Sequence, residues 1–223
     1  MKLRTNPIVV NEMLRFLTDE PTSLESLSLV QMGIPSTTMP LIVAFMENNC
    51  TLEALDLSWN DFKPYDFLDL MNCLSQNVIL KILNLSWNLL IPGKQQKDRS
   101  DYKYPVRNDK FFDREDWEMT HAEKMANRFS HLIRFNQSMQ HINLINTGLN
   151  EIFLFQMLPA LRRAKGLLSF HVGANPGVNK RISQYWVEKL RCLVKEAPVN
   201  IIIQKEKNNF KRILEDKKAK KRL

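Results

Sequence analysis

Residues that could do chemistry are few in this sequence, and their spacing does not support it. His121, Ala122 and Glu123 spell the H-x-E half of a zinc-deaminase signature, in which the histidine holds the metal and the glutamate moves protons. No P-C-x-x-C follows, so the cysteine ligands which that chemistry requires are missing. His131 and His141 lie ten residues apart, one in a helical stretch and one in a strand stretch, and do not form a metal-ligand spacing. Gly93-Lys94 lacks the upstream glycine of a phosphate-binding loop, and neither H-E-x-x-H nor G-x-S-x-G occurs. The sequence therefore predicts no catalytic residue, no metal site and no cofactor. Cys50, Cys73 and Cys192 are odd in number and scattered, which reads as free thiols in a reducing compartment.

The elements that would position any functional group are written in a repeat. "LEALDLSWNDF" at 52–62 recurs 28 residues later as "LKILNLSWNLL" at 80–90. Both reduce to L-x-x-L-x-L-x-x-N-x-(L/F), through Leu52, Leu55, Leu57, Asn60 and Phe62, then Leu80, Leu83, Leu85, Asn88 and Leu90. The same frame fits Leu24 to Ile34, Met139 to Leu149, and Leu167 to Gly177 with Asn175 at the asparagine place. A partial last copy is expected at 200–204, with Ile201 and Ile203 inward. A fixed period of this length marks a repeat array. The alternation at Leu55 and Leu57, and at Leu83 and Leu85, is a strand with one buried face. The roughly 16 residues after each phrase carry apolar residues at helical spacing. Neither element can bury its apolar face alone, so neighbouring repeats must stack, strands into a parallel sheet and helices into an outer layer. Asn60, Asn88 and Asn175 sit where the chain leaves the strand, and a short amide there can bond backbone groups left unpaired. Met32 and Thr147 break the pattern, which predicts a looser turn beside Thr147. Trp59 and Trp87 hold equivalent places and are expected to stack between repeats as packing residues.

These motifs resemble the leucine-rich repeat family in its helix-containing form, like ribonuclease inhibitor, over roughly residues 20–204. The resemblance implies an α/β solenoid with parallel strands on the concave face and helices on the convex face. The domain reading is a repeat domain over 1–204, opened by a capping helix within 1–20 and interrupted by an insertion at 91–121, then a basic helical tail over 205–223. The apolar run in "MKLRTNPIVV" is too short for a secretory signal, and Glu12 with a helix from Pro7 to Leu17 favours a folded cap over a mitochondrial presequence. No stretch is apolar enough for a membrane span. The expected place is cytoplasmic, so the sequons at Asn49 and Asn84 carry no meaning.

With catalysis set aside, exposed positions decide. The concave face would present small, mild residues such as Ser28, Asp56, Asn84, Asn143 and His171. Six strands of about five residues make a ladder of roughly 400 Å², against about 800 Å² per partner in a standard interface. Anchoring residues must therefore lie elsewhere. The interval from Leu80 to Met139 is 59 residues against a period of 28, so about 31 are inserted. That insertion holds Tyr102, Tyr104, Phe111, Phe112 and Trp117 among seven basic and seven acidic residues. Long loops in compact domains are commonly functional, and these aromatics either pack over their own repeats or dock a partner. Residues 205–223 carry nine Lys or Arg against three acids, a net +6 out of the chain's +8. Lys217, Lys218, Lys220, Lys221 and Arg222 are the candidates for an acidic surface such as tubulin tails, nucleic acid or lipid headgroups.

The reading is a non-catalytic protein-interaction or scaffold subunit of a larger assembly, without a membrane. The resemblance implies a cytoskeletal or ciliary place, axonemal or microtubule-associated. The alternatives are a nucleic-acid-associated subunit using the basic tail, and a regulator of a GTPase.

Overall fold

The computed structural model describes residues 7–20, 22–60, 62–91, 120–164, 166–182 and 186. The partial repeat at 200–204, most of the insertion with its five aromatics, and the basic tail lie outside the described residues.

Along the chain the elements are α1 (Pro7–Asp19), β1 (Ser26–Ser28), a 3-10 turn (Ser36–Thr38) leading into α2 (Met39–Asn48), β2 (Ala54–Asp56), α3 (Asp66–Gln76), β3 (Ile82–Asn84), α4 (His121–Phe135), β4 (His141–Asn143), α5 (Glu151–Leu161) and β5 (Ser169–His171). The strands form one parallel sheet in chain order. Its register places Leu27, Leu55, Leu83, Ile142 and Phe170 side by side, each in the middle of a three-residue strand. Interstrand bonding continues past those three residues: Glu53 N–H donates to Glu25 O before the strands, and Leu29 N–H to Asp56 O after them. Two rims result. On the leading rim the helices end and the strands begin; on the trailing rim the strands end and the chain turns out toward the next helix.

Burial follows the two periods in the sequence. The mid-strand row and the row two residues on, Leu29, Leu57, Leu85, Leu144 and Val172, are buried against the helices. Helix α3 buries Phe67, Leu70, Met71 and Leu74, and α4 buries Met125, Phe129, Leu132 and Ile133, a stripe at spacings of three and four. Phe129 and Phe153 meet edge to face with ring centres 5.7 Å apart, joining α4 to α5. Helix α4 opens on a capping box in which Thr120 N–H donates to Glu123 Oε2 at 2.7 Å and Glu123 N–H donates to Thr120 Oγ1 at 3.4 Å. Asn150 caps α5 by accepting from Phe153 N–H at 3.0 Å. Gly177 occupies the last place of the fifth motif because a Cβ there would collide with the Asn150 backbone. Among the described residues no helix is long and apolar enough to cross a membrane.

Candidate protein-interaction surfaces

The asparagines at the strand exits form a ladder that ties each repeat to the one before it. Asn60 Nδ2 donates to Leu57 O in its own repeat and to Leu29 O in the preceding one, at 2.9 and 2.7 Å. Asn88 does the same with Leu85 O and Leu57 O, and Asn175 with Val172 O and Leu144 O. The amide oxygens close the network: Asn88 Oδ1 accepts from Asn60 N–H at 3.1 Å, and Asn175 Oδ1 accepts from Thr147 N–H at 2.7 Å. Thr147, at the equivalent place in the fourth repeat, donates its hydroxyl to Leu144 O at 2.8 Å, inside its own repeat. The side-chain link from the fourth repeat back to the third is therefore missing at this step.

The residue before each ladder position takes a left-handed conformation, although none is glycine. Gln31, Trp59, Trp87, Asn146 and Ala174 have φ of 56°, 59°, 61°, 52° and 55°. Such a residue costs of order 1–3 kcal/mol unless its surroundings over-determine it. Here they do: Gln31 N–H donates to Ser58 O, Trp59 N–H to Ser86 O, Trp87 N–H to Ile145 O and Asn146 N–H to Gly173 O, each crossing to the next repeat at 2.9–3.1 Å. This backbone throws the side chain outward on the trailing rim. Trp59 and Trp87 stack on one another with ring centres 4.2 Å apart and planes 12° off parallel, as their equivalent places imply. They are nevertheless 44% and 43% exposed, so they form a surface feature and not core packing. Leu89, also exposed, lies two residues beyond Trp87, and Ile91 opens the insertion.

The open face of the sheet forms a groove of about 380 Å³ lined by side chains from all five strands, among them Ser28, Asp56, Asn84, Asn143 and His171. Most polar groups here are already engaged with each other. Asp56 Oδ1 accepts from Ser58 N–H and Oγ, Asn84 Nδ2 donates to Asp56 Oδ2 at 2.8 Å, and Asn84 Oδ1 accepts from Ser86. His141 Nδ1 lies 2.6 Å from Ser169 Oγ. Among the described residues no carboxylate is bonded to His141, and Ser169 is buried, so the described groups do not set the pair up as a nucleophile with its base. Burial, and then the neighbouring His141, hold the His171 pKa below the usual imidazole value.

His121 Nε2 lies 2.9 Å from Leu90 O, and burial lowers its pKa. Glu123 is the capping carboxylate, held below the usual range by its hydrogen bonds to Thr120. His131 sits on α4 against the Phe135 ring, away from His141 on the sheet. Among the described residues no three His, Cys, Asp or Glu are grouped to hold a metal.

The repeat leucines Leu55, Leu57, Leu83 and Leu85 and the asparagines Asn60, Asn88 and Asn175 are all buried. The partner-binding candidates Tyr102, Tyr104, Phe111, Phe112 and Trp117, and Lys217, Lys218, Lys220, Lys221 and Arg222, lie outside the described residues. A second asparagine series went unread in the sequence. Asn49 and Asn77 follow the ends of α2 and α3, and Asn136 that of α4; their Oδ1 atoms accept from Leu52, Leu80 and Met139 N–H at 2.7–2.8 Å, turning the chain into the strand. Asn136 Nδ2 also donates to Leu74 O and Asn77 O of the previous repeat at 2.9 and 2.6 Å. The signal was present, since these asparagines recur at the 28- and 59-residue intervals of the leucine frame.

Strand, outward turn and outer helix, stacked in a parallel sheet in chain order, define the chain as an α/β leucine-rich repeat solenoid. Solved structures of similar fold include the two that follow. The tropomodulin C-terminal domain from Caenorhabditis elegans superposes with a TM-score of 0.55 at 14% identity, over 83% of this chain and 93% of that one. Leiomodin-1 actin-binding site 2 superposes with a TM-score of 0.56 at 12% identity, over 95% of this chain and 98% of that one. No protein-family model and no curated protein matches the sequence.

Proposed function

We propose that this chain is a non-catalytic protein-interaction subunit of a cytoskeletal assembly. The observation that carries the reading is the Trp59–Trp87 stack: two tryptophans held outward by left-handed backbone, each more than two-fifths exposed, with Leu89 on the same rim. Tryptophan is among the residues that dominate binding energy when a partner covers it, and a rigid stacked pair loses little entropy on docking. The cytoskeletal part is supported by the likeness of the fold to tropomodulin and to a leiomodin-1 domain whose name records actin binding. The insertion aromatics Tyr102, Tyr104, Phe111, Phe112 and Trp117 supply further partner contacts in this reading. The basic residues Lys217, Lys218, Lys220, Lys221 and Arg222 add an acidic filament surface, such as tubulin, as a second contact.

Co-sedimentation of the full chain with actin filaments and, separately, with microtubules tests this. Pelleting with one of them, weakened at least tenfold by the paired Trp59→Asn and Trp87→Asn substitutions, is the expected result. Asparagine tolerates the left-handed region, so the fold should survive the change. A chain that pellets with neither filament but binds duplex nucleic acid through its tail would replace this reading with the ribonucleoprotein alternative.

A further inference from the structure

The repeats are close to neutral as a whole, yet their charge is divided between two halves. Residues 7–91 hold ten acids and three bases, while residues 121–182 hold two acids and eight bases. The division is sharpest on the leading rim. Equivalent positions at the helix ends read Asp19, Glu47, Ser75, Arg134 and Arg162 from the first repeat to the last. The next position along reads Glu20, Asn48, Gln76, Phe135 and Arg163. Glu25 and Glu53 continue the acidic half at the strand starts, and Lys81 Nζ meets Glu53 Oε1 at 2.5 Å where the sign changes.

In the basic half Arg134, Arg162 and Arg163 are exposed, and none forms an ion pair among the described residues. Phe135, beside Arg134 and one repeat before the equivalent Arg163, is 58% exposed, its ring 4.4 Å from that of His131 and 5.6 Å from the Arg134 guanidinium. The ends of α4 and α5 contribute about half a negative charge each. Three guanidinium groups exceed that, leaving the rim at about +2.

We propose that Arg134, Arg162 and Arg163 with Phe135 form a docking site for an acidic polypeptide segment that carries a hydrophobic side chain. The inference rests on reading the chain as a protein-interaction subunit and adds a surface and a partner chemistry to it. Two features favour a polypeptide over nucleic acid. The cationic stretch spans two helices, roughly 10 Å centre to centre, and the same rim then becomes acidic, so a phosphate backbone running on would be repelled. The exposed Phe135 ring on the same rim offers apolar burial that a phosphate chain does not use.

The test measures fluorescence anisotropy of a dye-labelled glutamate-rich peptide with one central leucine. Its partner is the full chain with Lys217, Lys218, Lys220, Lys221 and Arg222 each changed to Gln, so that the rim is the basic surface being measured. Combining Arg134→Glu, Arg162→Glu and Arg163→Glu should weaken binding at least tenfold and flatten its salt dependence. Phe135→Ser should weaken it several-fold and leave the salt dependence unchanged. The milder Arg→Gln triple serves if circular dichroism shows that the reversal has unfolded the chain. Affinity within twofold of the parent after charge removal would overturn the proposal. So would tighter binding of a duplex of equal charge through the same arginines, or a peptide effect that proves to be loss of self-association. If the rim fails while filament binding still depends on Trp59 and Trp87, the functional reading stands and this inference falls.

Discussion

The backbone N–H of Asn60 donates to the Oδ1 of Asn88, 28 residues further on, at 3.1 Å and fully buried. One side chain thus satisfies groups in two repeats, since its Nδ2 also reaches Leu57 O and Leu85 O. Replacing Asn88 with leucine keeps the branched shape but strands the Asn60 N–H and the Leu85 carbonyl, while Leu57 O keeps its bond from Asn60 Nδ2. At about 1–3 kcal/mol for a buried group left without a partner, Asn88→Leu should cost about 3 kcal/mol or more in urea unfolding. A loss under about 1 kcal/mol would show that the ladder does not hold the repeats together.

Leu83 is completely buried in the middle of the sheet, so Leu83→Ala should cost about 2–5 kcal/mol by the same measurement. Asp56 and Asn84 on the open face would be near neutral if they merely met solvent. They bond each other and cap Ser58 and Ser86, which puts Asp56→Ala and Asn84→Ala at about 1 kcal/mol each. A melt unchanged by Leu83→Ala would refute the register.

Stability should fall as pH drops from 7 toward 5. His121, His131 and His171 all have folded pKa values below the free value of 6.5, chiefly through burial. The unfolded chain then binds more protons than the folded one in this window, so stability is present above 6.5 and is lost on acidification. Asp66, raised by burial, acts in the opposite sense only across the carboxylate range near and above its ordinary value of 3.8. His121→Asn should remove part of the slope in melts at pH 7 and pH 5; an unchanged slope would exclude His121 as its source.

The two described cysteines should react differently. Cys73 is pushed up to about 12 by burial and by Glu47, so its thiol stays protonated at pH 8, whereas Cys50 is exposed. A thiol reagent under native conditions should label Cys50 far faster than Cys73, because the thiolate is the reacting form. Equal labelling rates would mean that α3 opens readily.

The leucine frame was legible because a buried strand and helix impose fixed periods on apolar residues, and Leu27 to Phe170 pair in the register that frame implies. What escaped was polar. Asn49 read as part of a sequon because its partner groups are backbone atoms brought close only by the fold. Trp59 and Trp87 read as packing because a left-handed φ on a bulky residue leaves no local trace in sequence; the bonds that enforce it come from the next repeat. The arginine rim was hidden by summing charge along the chain, whereas stacking sorts charge by repeat.

The junction between the third and fourth repeats is fastened differently at its two edges. On the leading rim Asn136 and Ser138 reach across it to Leu74, Asn77 and Leu80. On the trailing rim Thr147 provides no matching side-chain link, and the crossing bonds there include backbone ones from Leu90 and Ile91 to Thr147 O at 2.9 and 3.4 Å. Side-chain bonding at this seam is concentrated on the leading edge, so any bending of the array is expected to turn about that edge. Flexing would gape the trailing side, where Trp87 and Leu89 stand and where the insertion leaves, and would change the angle between the acidic and the basic half.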